Sequence, residues 1–366
     1  MLPNLLFGLA AGTLADRGNR ARLLALVRLL ALPPALGLAW LSAAQPESVN
    51  VWLLVVLAFG TGCATVFDMP ARQALVLDTV ARDAAPNAMA LNATASRLAT
   101  AVGALLAGAL IPGAGLPAAF VLAAATFALA ALVGLLIRPA TRGSTVALTA
   151  RPTFTRAMRD ALRLIADIAE VRILVAAAIA CEIFGFSYQT AVPVFARDVL
   201  GAGAEGLGTL NAATSLGGAL GLVTLALVPG RIRRQPILGL VFVAFGVSIL
   251  VVAPSHSMQV AAAALLVTGA CAASFDVLQQ TLMQLAVPEA HRGRAVGLWV
   301  LSIGSAPVGN LEMGAVVAAF GAPAALAING GLVLLAAVLL LAGAPSYRVA
   351  PRILYDRATS RRESEQ

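Results

Sequence analysis

Residues 236–253 read PILGLVFVAFGVSILVVA, a stretch of 18 residues without a charged side chain. A helix needs roughly 20 apolar residues to cross the hydrocarbon core of a bilayer. The apolar residues follow one another and do not alternate with polar ones, as they would in a strand of a membrane β-barrel. The stretch therefore predicts a transmembrane helix.

Comparable apolar runs recur along the whole chain, and we predict eleven spans from them. They fall at residues 2–15, 23–42, 50–67, 90–111, 117–137, 171–195, 206–229, 236–253, 257–276, 295–319 and 323–343. The first is short for a full crossing. Charged residues make up only 11% of the chain, against about a quarter in soluble domains. The excess apolar surface has to face lipid, so we predict an all-α membrane protein.

The positions of the arginines orient these spans. All 25 basic residues are arginine, and 22 of them lie in the tail or in one alternating set of connections between the spans. The other set carries only Arg197. Because basic residues concentrate in cytoplasmic loops, we predict a multi-pass protein of the inner (plasma) membrane with a cytoplasmic C-terminus.

A long Arg-rich segment divides the spans into five and six. We predict an N-terminal bundle over residues 1–137, a cytoplasmic linker over 138–170, a six-helix bundle over 171–344 and a cytoplasmic tail over 345–366. Residues 73–80 align without gaps on residues 280–287, and both segments lead into a Gly-rich helix. Parallel repeats of this kind are a transporter architecture, with the substrate bound between the halves.

Residues 12–22, GTLADRGNRAR, carry the first resemblance to a known family. They resemble the cytoplasmic loop between helices two and three of the major facilitator superfamily, with Asn19 in place of the second glycine. Gly12 allows close helix packing, and Asp16 can accept an arginine or a helix N-terminus. Arg17 and Arg20 are expected to meet water and lipid headgroups. The resemblance implies that this loop is a gate that latches the outward-facing state.

Four further stretches resemble a narrower group. Residues 69–75 (MPARQAL), 86–92 (PNAMALN), 284–289 (QLAVPE) and 292–299 (RGRAVGLW) are similar to enterobactin and macrolide exporters of the transmembrane secretion effector type. The likeness runs from about residue 2 to 343 and begins at the second helix of the family. It implies that the first helix is absent, and that the protein exports small organic molecules against proton entry.

Ionisable side chains inside a bilayer are costly and are therefore candidates for function. Arg97 lies within the span 90–111, Glu182 within 171–195 and Glu312 within 295–319. We predict that these residues bind substrate or couple its movement to protons. The alternative for Arg97 is a structural ion pair, and for Glu182 a position at the headgroups or in a pair. Pro307 and Gly309 are expected to loosen the helix just before Glu312.

Three other charged residues are expected to have structural roles. Asp68 and Asp276 end their apolar runs at related places in the two halves, where we expect them to cap helices or form ion pairs at the cytoplasmic surface. They are secondary candidates for proton handling. Arg28 lies near the cytoplasmic start of its helix, and we expect it to snorkel towards water.

Several classes of function lack the residues they need. The three cysteines have no Cys or His neighbours at metal-ligand spacing, and the chain has only two histidines, so we predict no metal and no cofactor. It has no phosphate-binding Gly-Lys-Ser/Thr loop and no evident nucleophile with a base, so we predict no enzyme. The cations are dispersed between apolar runs, which argues against nucleic acid. The expected partners are lipid, a small-molecule substrate and protons, with the protein as a monomer.

The family resemblance therefore implies a secondary active exporter of drug- or siderophore-like molecules that works by proton antiport. The alternative is a truncated membrane protein that does not transport, or an assembly partner. The absent first helix favours the alternative, because the family's cavity would then open to lipid. The gating loop and the charged residues favour the exporter.

Overall fold

A computed structural model of the chain describes residues 20–44, 50–81, 84–136, 165–229, 233–287 and 292–342. Every regular element in these ranges is a helix. Seven of the helices are long and apolar enough to cross a membrane. The predicted all-α membrane fold is therefore confirmed. The first predicted span, most of the linker, the tail, and the gating residues Gly12, Asp16 and Arg17 lie outside the described residues, and Arg20 is the first residue of the first described helix.

We number the helices in chain order. They are α1 (Arg20–Leu30), α2 (Leu32–Ala44), α3 (Val51–Thr79), α4 (Ala85–Leu136), α5 (Ala169–Ala180), a π-helix (Cys181–Gly185), α6 (Tyr188–Asp198), α7 (Gly203–Leu227), α8 (Arg234–Val252), α9 (Met258–Leu285), α10 (Arg292–Ile303) and α11 (Ala306–Ala342).

The long helices α4 and α11 each contain a glycine at which one predicted span meets the next. Gly115 has φ 79° and ψ 172°, and Gly321 has φ 81° and ψ 164°. This backbone conformation is essentially restricted to glycine. A proline follows two residues later in both cases, at Pro117 and Pro323. The predicted breaks between 111 and 117 and between 319 and 323 are therefore confirmed, and the two halves of the chain use the same Gly-x-Pro device.

Three other predicted spans are interrupted within their length. The span 23–42 breaks at Ala31, directly before the first turn of α2 with Pro33 and Pro34. Proline fits there because the first turn of a helix has no acceptors for its N–H groups. The span 171–195 breaks at the π-helix, and the span 295–319 breaks between Ile303 and Ala306. The last of these breaks lies just before Pro307, and the loosening expected from Pro307 and Gly309 stays a prediction.

The described chain forms two compact units. The first comprises Met1–Leu148 and Ala202–Ala212, and the second Thr149–Gly201 and Ala213–Gln366. In the first unit, α1 packs against α3 and α4, and α2 packs against α4. In the second, α8 packs closely on α11, since a Cβ at Gly246 would lie 2.9 Å from the Leu334 nitrogen. The predicted linker boundaries at 137 and 171 stay a prediction.

The repeated segments occupy equivalent places in the fold. Residues 73–80 fall in the last turns of α3, and residues 280–287 in the last turns of α9. Both helices lead through a short connection into the next helix. Because α3 and α9 continue well past Asp68 and Asp276, these residues do not cap helices, and that expectation is wrong. The alternative of an ion pair is found for Asp68, which pairs with Arg28.

Substitution of Gly321 tests the junction in α11. Gly321→Ala forces a side chain into a glycine-only conformation, and we expect it to lower the free energy of unfolding by about 1–3 kcal/mol. Gly314→Ala is the matched control, because Gly314 is helical and a Cβ there meets open space. Thermal unfolding of the purified protein in detergent measures both. Equal melting temperatures for the two variants would contradict the assigned backbone conformation.

Candidate functional site

The first unit contains a cluster of three charges on α1 and α3. The Nε of Arg28 donates a hydrogen bond to Oδ1 of Asp68 at 2.9 Å, and its Nη1 donates to the carbonyl of Ala130 at 3.0 Å. The Nε of Arg72 lies 3.6 Å from Oδ2 of Asp68, which is an ion pair but too long for a hydrogen bond. The expected snorkelling of Arg28 is wrong, because a carboxylate and a carbonyl oxygen lie within its reach. Arg28 thereby connects α1, α3 and α4.

Besides Asp68, the guanidinium group of Arg72 contacts two neutral side chains of α4. Its Nη1 donates to Oδ1 of Asn92 at 3.1 Å and to the hydroxyl of Ser96. Its Nε is buried and has no hydrogen-bond acceptor within the described residues. Arg97 follows Ser96 directly and is half-buried. The role predicted for Arg97 stays a prediction.

A cavity of about 460 Å³ lies beside this charge cluster. Its described lining consists of Val27, Arg28, Ala31, Ala64, Thr65, Asp68, Met69, Arg72, Thr126, Phe127 and Ala130. The volume falls in the range of small-molecule sites, roughly 300–1,000 Å³. The charged wall comes from α1 and α3, and most of the remaining wall is aliphatic or aromatic. The cavity thus combines charged side chains on one wall with a largely apolar lining elsewhere.

In the second unit, Glu182 is placed by a π-helix. The N–H of Phe186 donates to the carbonyl of Cys181 at 2.8 Å, which closes the wide turn. π-Helices are rare and occur frequently at functional sites. Glu182 is half-buried, and Asp276 of α9 lies close enough for the two carboxylates to repel each other.

Glu312 belongs to a buried polar network in the second unit. The Nδ2 of Asn329 donates to Oε2 of Glu312 at 3.0 Å and to Oγ of Ser187 at 3.1 Å. Asn329 is fully buried, and its Oδ1 has no hydrogen-bond partner among the described residues. Nearby in sequence, the hydroxyl of Thr190 donates to Oδ1 of Asn310 at 2.8 Å. The network joins the turn before α6 to both halves of α11.

The first turns of α11 pack directly on the π-helix at Gly309. A Cβ at this position would lie 2.6 Å from the Cα of Ile183 and would overlap its carbonyl oxygen. Only glycine allows this approach of α11 to the π-helix. The contact brings the segments that carry Glu182 and Glu312 together, although they are far apart in sequence.

The structure thus brings Glu182 together with Asp276, and Glu312 together with Asn329. It places Asp68 and Arg97 in the first unit. Four residues of these clusters were not singled out for function by the sequence. They are Arg28, Arg72, Ser187 and Asn329. Only weak signals in the sequence pointed to two of them. Asn329 is a lone amide in the apolar run 323–343, and Arg72 follows Asp68 by one helical turn.

The described ranges hold no group of three or more His, Cys, Asp or Glu residues suited to a metal ion. In the polar network, Oγ of Ser187 and Oε2 of Glu312 accept hydrogen bonds from the Asn329 amide. The chemistry that these clusters offer is charge pairing, hydrogen bonding and proton binding.

Comparison with known proteins assigns the class that this fold and these sites define, a multi-pass membrane transporter. A family model described as transmembrane secretion effector matches residues 1–349. The chain therefore belongs to this family of major facilitator superfamily transporters. The closer resemblance to enterobactin and macrolide exporters stays a prediction, as does the absence of a first helix.

Two solved structures share the fold. One is a bacterial homologue of the human lysosomal transporter Spinster in an inward-facing, unoccupied conformation. It is 18% identical in sequence, the match covers 96% of this chain and 87% of that chain, and the TM-score is 0.56. The other is a mutant of the nucleoside transporter NupG, with 13% identity, 93% and 88% covered, and a TM-score of 0.72. No curated protein matches the chain significantly by sequence. The family and these neighbours are transporters rather than enzymes.

The Arg28–Asp68 contact is open to a double-mutant cycle. We expect Arg28→Gln and Asp68→Asn each to lower the free energy of unfolding, and the double variant to cost less than their sum. The expected coupling is about 1 kcal/mol, because both side chains are partly exposed and solvent screens the pair. Titration with dodecyl sulfate, followed by circular dichroism, measures it. A coupling energy of zero would mean that the hydrogen bond does not stabilise the unit.

The contact at Gly309 predicts a second loss of stability. Gly309→Ala places a methyl group on the Ile183 backbone, and we expect a cost of about 1–3 kcal/mol from overpacking. Gly331→Ala on the same helix is the control, because a Cβ there meets open space. Melting temperatures in detergent compare the two. If Gly309→Ala melts together with the control, α11 and the π-helix are not in backbone contact.

Proposed function

We propose that the protein exports small organic molecules of the drug or siderophore type by proton antiport and alternating access. It acts as a monomer in the inner (plasma) membrane, with its C-terminus and the Arg-rich connections in the cytoplasm. Membership of a transporter family supports transport. The gating loop at residues 12–22 and the one-sided distribution of arginines support the direction and the orientation.

The observation that carries the proton-coupled part is the position of two carboxylates at helix breaks. Glu182 lies within the π-helix, and Glu312 lies seven residues after the break at Gly304–Ser305. Transporters commonly place their ion and substrate sites at discontinuous helices. A carboxylate in such a place can take up a proton by itself, whereas a metal ion would need several ligands in a fixed arrangement.

Asn329 gives Glu312 a route to influence the helix packing. When Glu312 is ionised, it accepts a charge-assisted hydrogen bond from the buried Asn329 amide. Protonation removes the charge and weakens that bond, which changes the free energy of the packing between the two halves of α11. A site whose charge alters packing in this way shifts the balance between two conformations of the protein.

The remaining candidates have supporting roles in this proposal. Arg97 binds substrate or takes part in coupling in the first unit. Asp276 adds negative charge beside Glu182, and Asp68 holds the two arginines of the first unit in place. The gating residues Gly12, Asp16, Arg17 and Arg20 favour the outward-facing state.

Conservative variants test the coupling in proteoliposomes. Glu312→Gln and Glu182→Gln keep the side-chain shape but cannot carry a proton. We expect each to reduce substrate movement driven by a pH gradient by about tenfold or more, equivalent to about 1.4 kcal/mol, while exchange of substrate without a gradient persists. Glu205→Gln is the control, since Glu205 is exposed at the start of α7.

Fluorescent dyes and macrolides serve as the substrate panel. Gradient-driven transport by both Glu variants at the level of Glu205→Gln would contradict proton coupling through these residues. No transport of any panel member by the unmodified protein would contradict the export of such compounds and would favour the non-transporting alternative.

A further inference from the structure

The cavity of the first unit carries an excess positive charge. Of the described residues that line it, Arg28 and Arg72 are cations and Asp68 is the single anion. Arginine stays ionised in proteins. The other partners of the two guanidinium groups, the Ala130 carbonyl and the Asn92 and Ser96 side chains, are neutral. The cluster therefore has a net charge of +1 in surroundings that are largely apolar.

Among the described residues, Asp68 is the carboxylate that contacts both arginines, and its distances to the two differ. Asp68 accepts a hydrogen bond from Arg28 at 2.9 Å but remains 3.6 Å from the Nε of Arg72. That Nε is buried and has no acceptor among the residues that the structure describes. A buried donor that lacks an acceptor costs about 1–3 kcal/mol. A second anion on Arg28 would release Asp68 to move the short distance to Arg72, and the Nε of Arg72 would then also have a hydrogen-bond acceptor.

The rest of the lining defines the body of such an anion. Val27, Ala31, Ala64, Phe127 and Ala130 provide an apolar wall next to the charge cluster. A molecule that fits has one negatively charged oxygen group at the end of an apolar body, within a volume of about 460 Å³. Neutral molecules leave the excess charge uncompensated, and cations add to it.

We infer that this cavity is a binding site for organic oxyanions. In the bound state Arg28 contacts a carboxylate or phosphate group of the ligand, and the Asp68 carboxylate moves from Arg28 to Arg72. The site goes beyond the proposed export function, because it specifies a ligand class and a location in the first unit. Binding is measured without transport, so a failure of the proposed export would leave this inference untouched.

A matched pair of probes tests the charge requirement. Dansylglycine carries a carboxylate, and dansylglycinamide is its neutral counterpart. We expect the purified full chain, in nanodiscs of phosphatidylcholine, to bind the acid at least about tenfold more tightly than the amide, as measured by dansyl fluorescence. Equal affinities for the acid and the amide would overturn the inference.

Variants of the cluster then test the residues. Arg28→Gln is expected to weaken binding of the acid by about tenfold or more, with Arg28→Lys in between, because Lys keeps the charge but loses the guanidinium fork. Arg233→Gln, on an exposed arginine of the second unit, should bind like the unmodified protein. Asp68→Asn removes the competing carboxylate and should bind the acid several-fold more tightly, a gain that misfolding cannot produce. Weaker or unchanged binding by Asp68→Asn would overturn the proposed movement of the Asp68 carboxylate from Arg28 to Arg72.

The same chemistry is present in acidic lipids and in free organic acids. Nanodiscs that contain phosphatidylglycerol distinguish these sources. Displacement of dansylglycine by the acidic lipid would identify a lipid phosphate as the occupant. Undiminished binding in its presence would identify a free organic acid, and either result supports an oxyanion site.

Discussion

Inside a bilayer, every backbone N–H and C=O must find its partner within the protein, and the rest of this structure depends on that constraint. It dictates helices over the apolar runs and makes each departure from a helix costly. The departures seen here have local causes. Gly115 and Gly321 adopt a conformation that other residues avoid, and Pro33 and Pro34 start a new helix. At the π-helix, the Phe186 N–H still reaches a carbonyl, one residue farther away than usual.

The same constraint explains why polar side chains gather where they do. A charge that is withdrawn from water needs a partner, and several of the partners here lie on neighbouring helices. In the first unit, Arg28 reaches across to α3 and α4. In the second unit, the Asn329 amide joins Glu312 to Ser187 beside the break between α5 and α6. Each network thus holds several helices together, and a change in charge at Glu312 or Asp68 affects more than one of them.

The spans and the broken helices were largely predictable, because hydropathy and the positions of Pro and Gly are properties of the chain itself. The breaks near Gly115, Gly321 and Pro307 follow from this chemistry. The partners of the charged residues were not predictable in the same way. Arg28 was expected to reach water because its distance from a helix end is visible in the sequence, whereas the Asp68 carboxylate beside it is 40 residues away along the chain. The full burial of Asn329 was equally invisible, since one amide in an apolar run gives no sign of which neighbours face it.

The sequence by itself determined that this is a helical membrane protein, and it carried the family resemblance, because both depend on the order and composition of residues. Only the tertiary structure decided which charges meet. It placed Gly309 against Ile183, Asn329 against Glu312, and two arginines around one aspartate. The physical reason is that hydropathy can be summed over the residues of a single helix, whereas ion pairs and hydrogen bonds require two atoms within about 3–4 Å of each other. That proximity arises from the packing of helices that are distant in sequence.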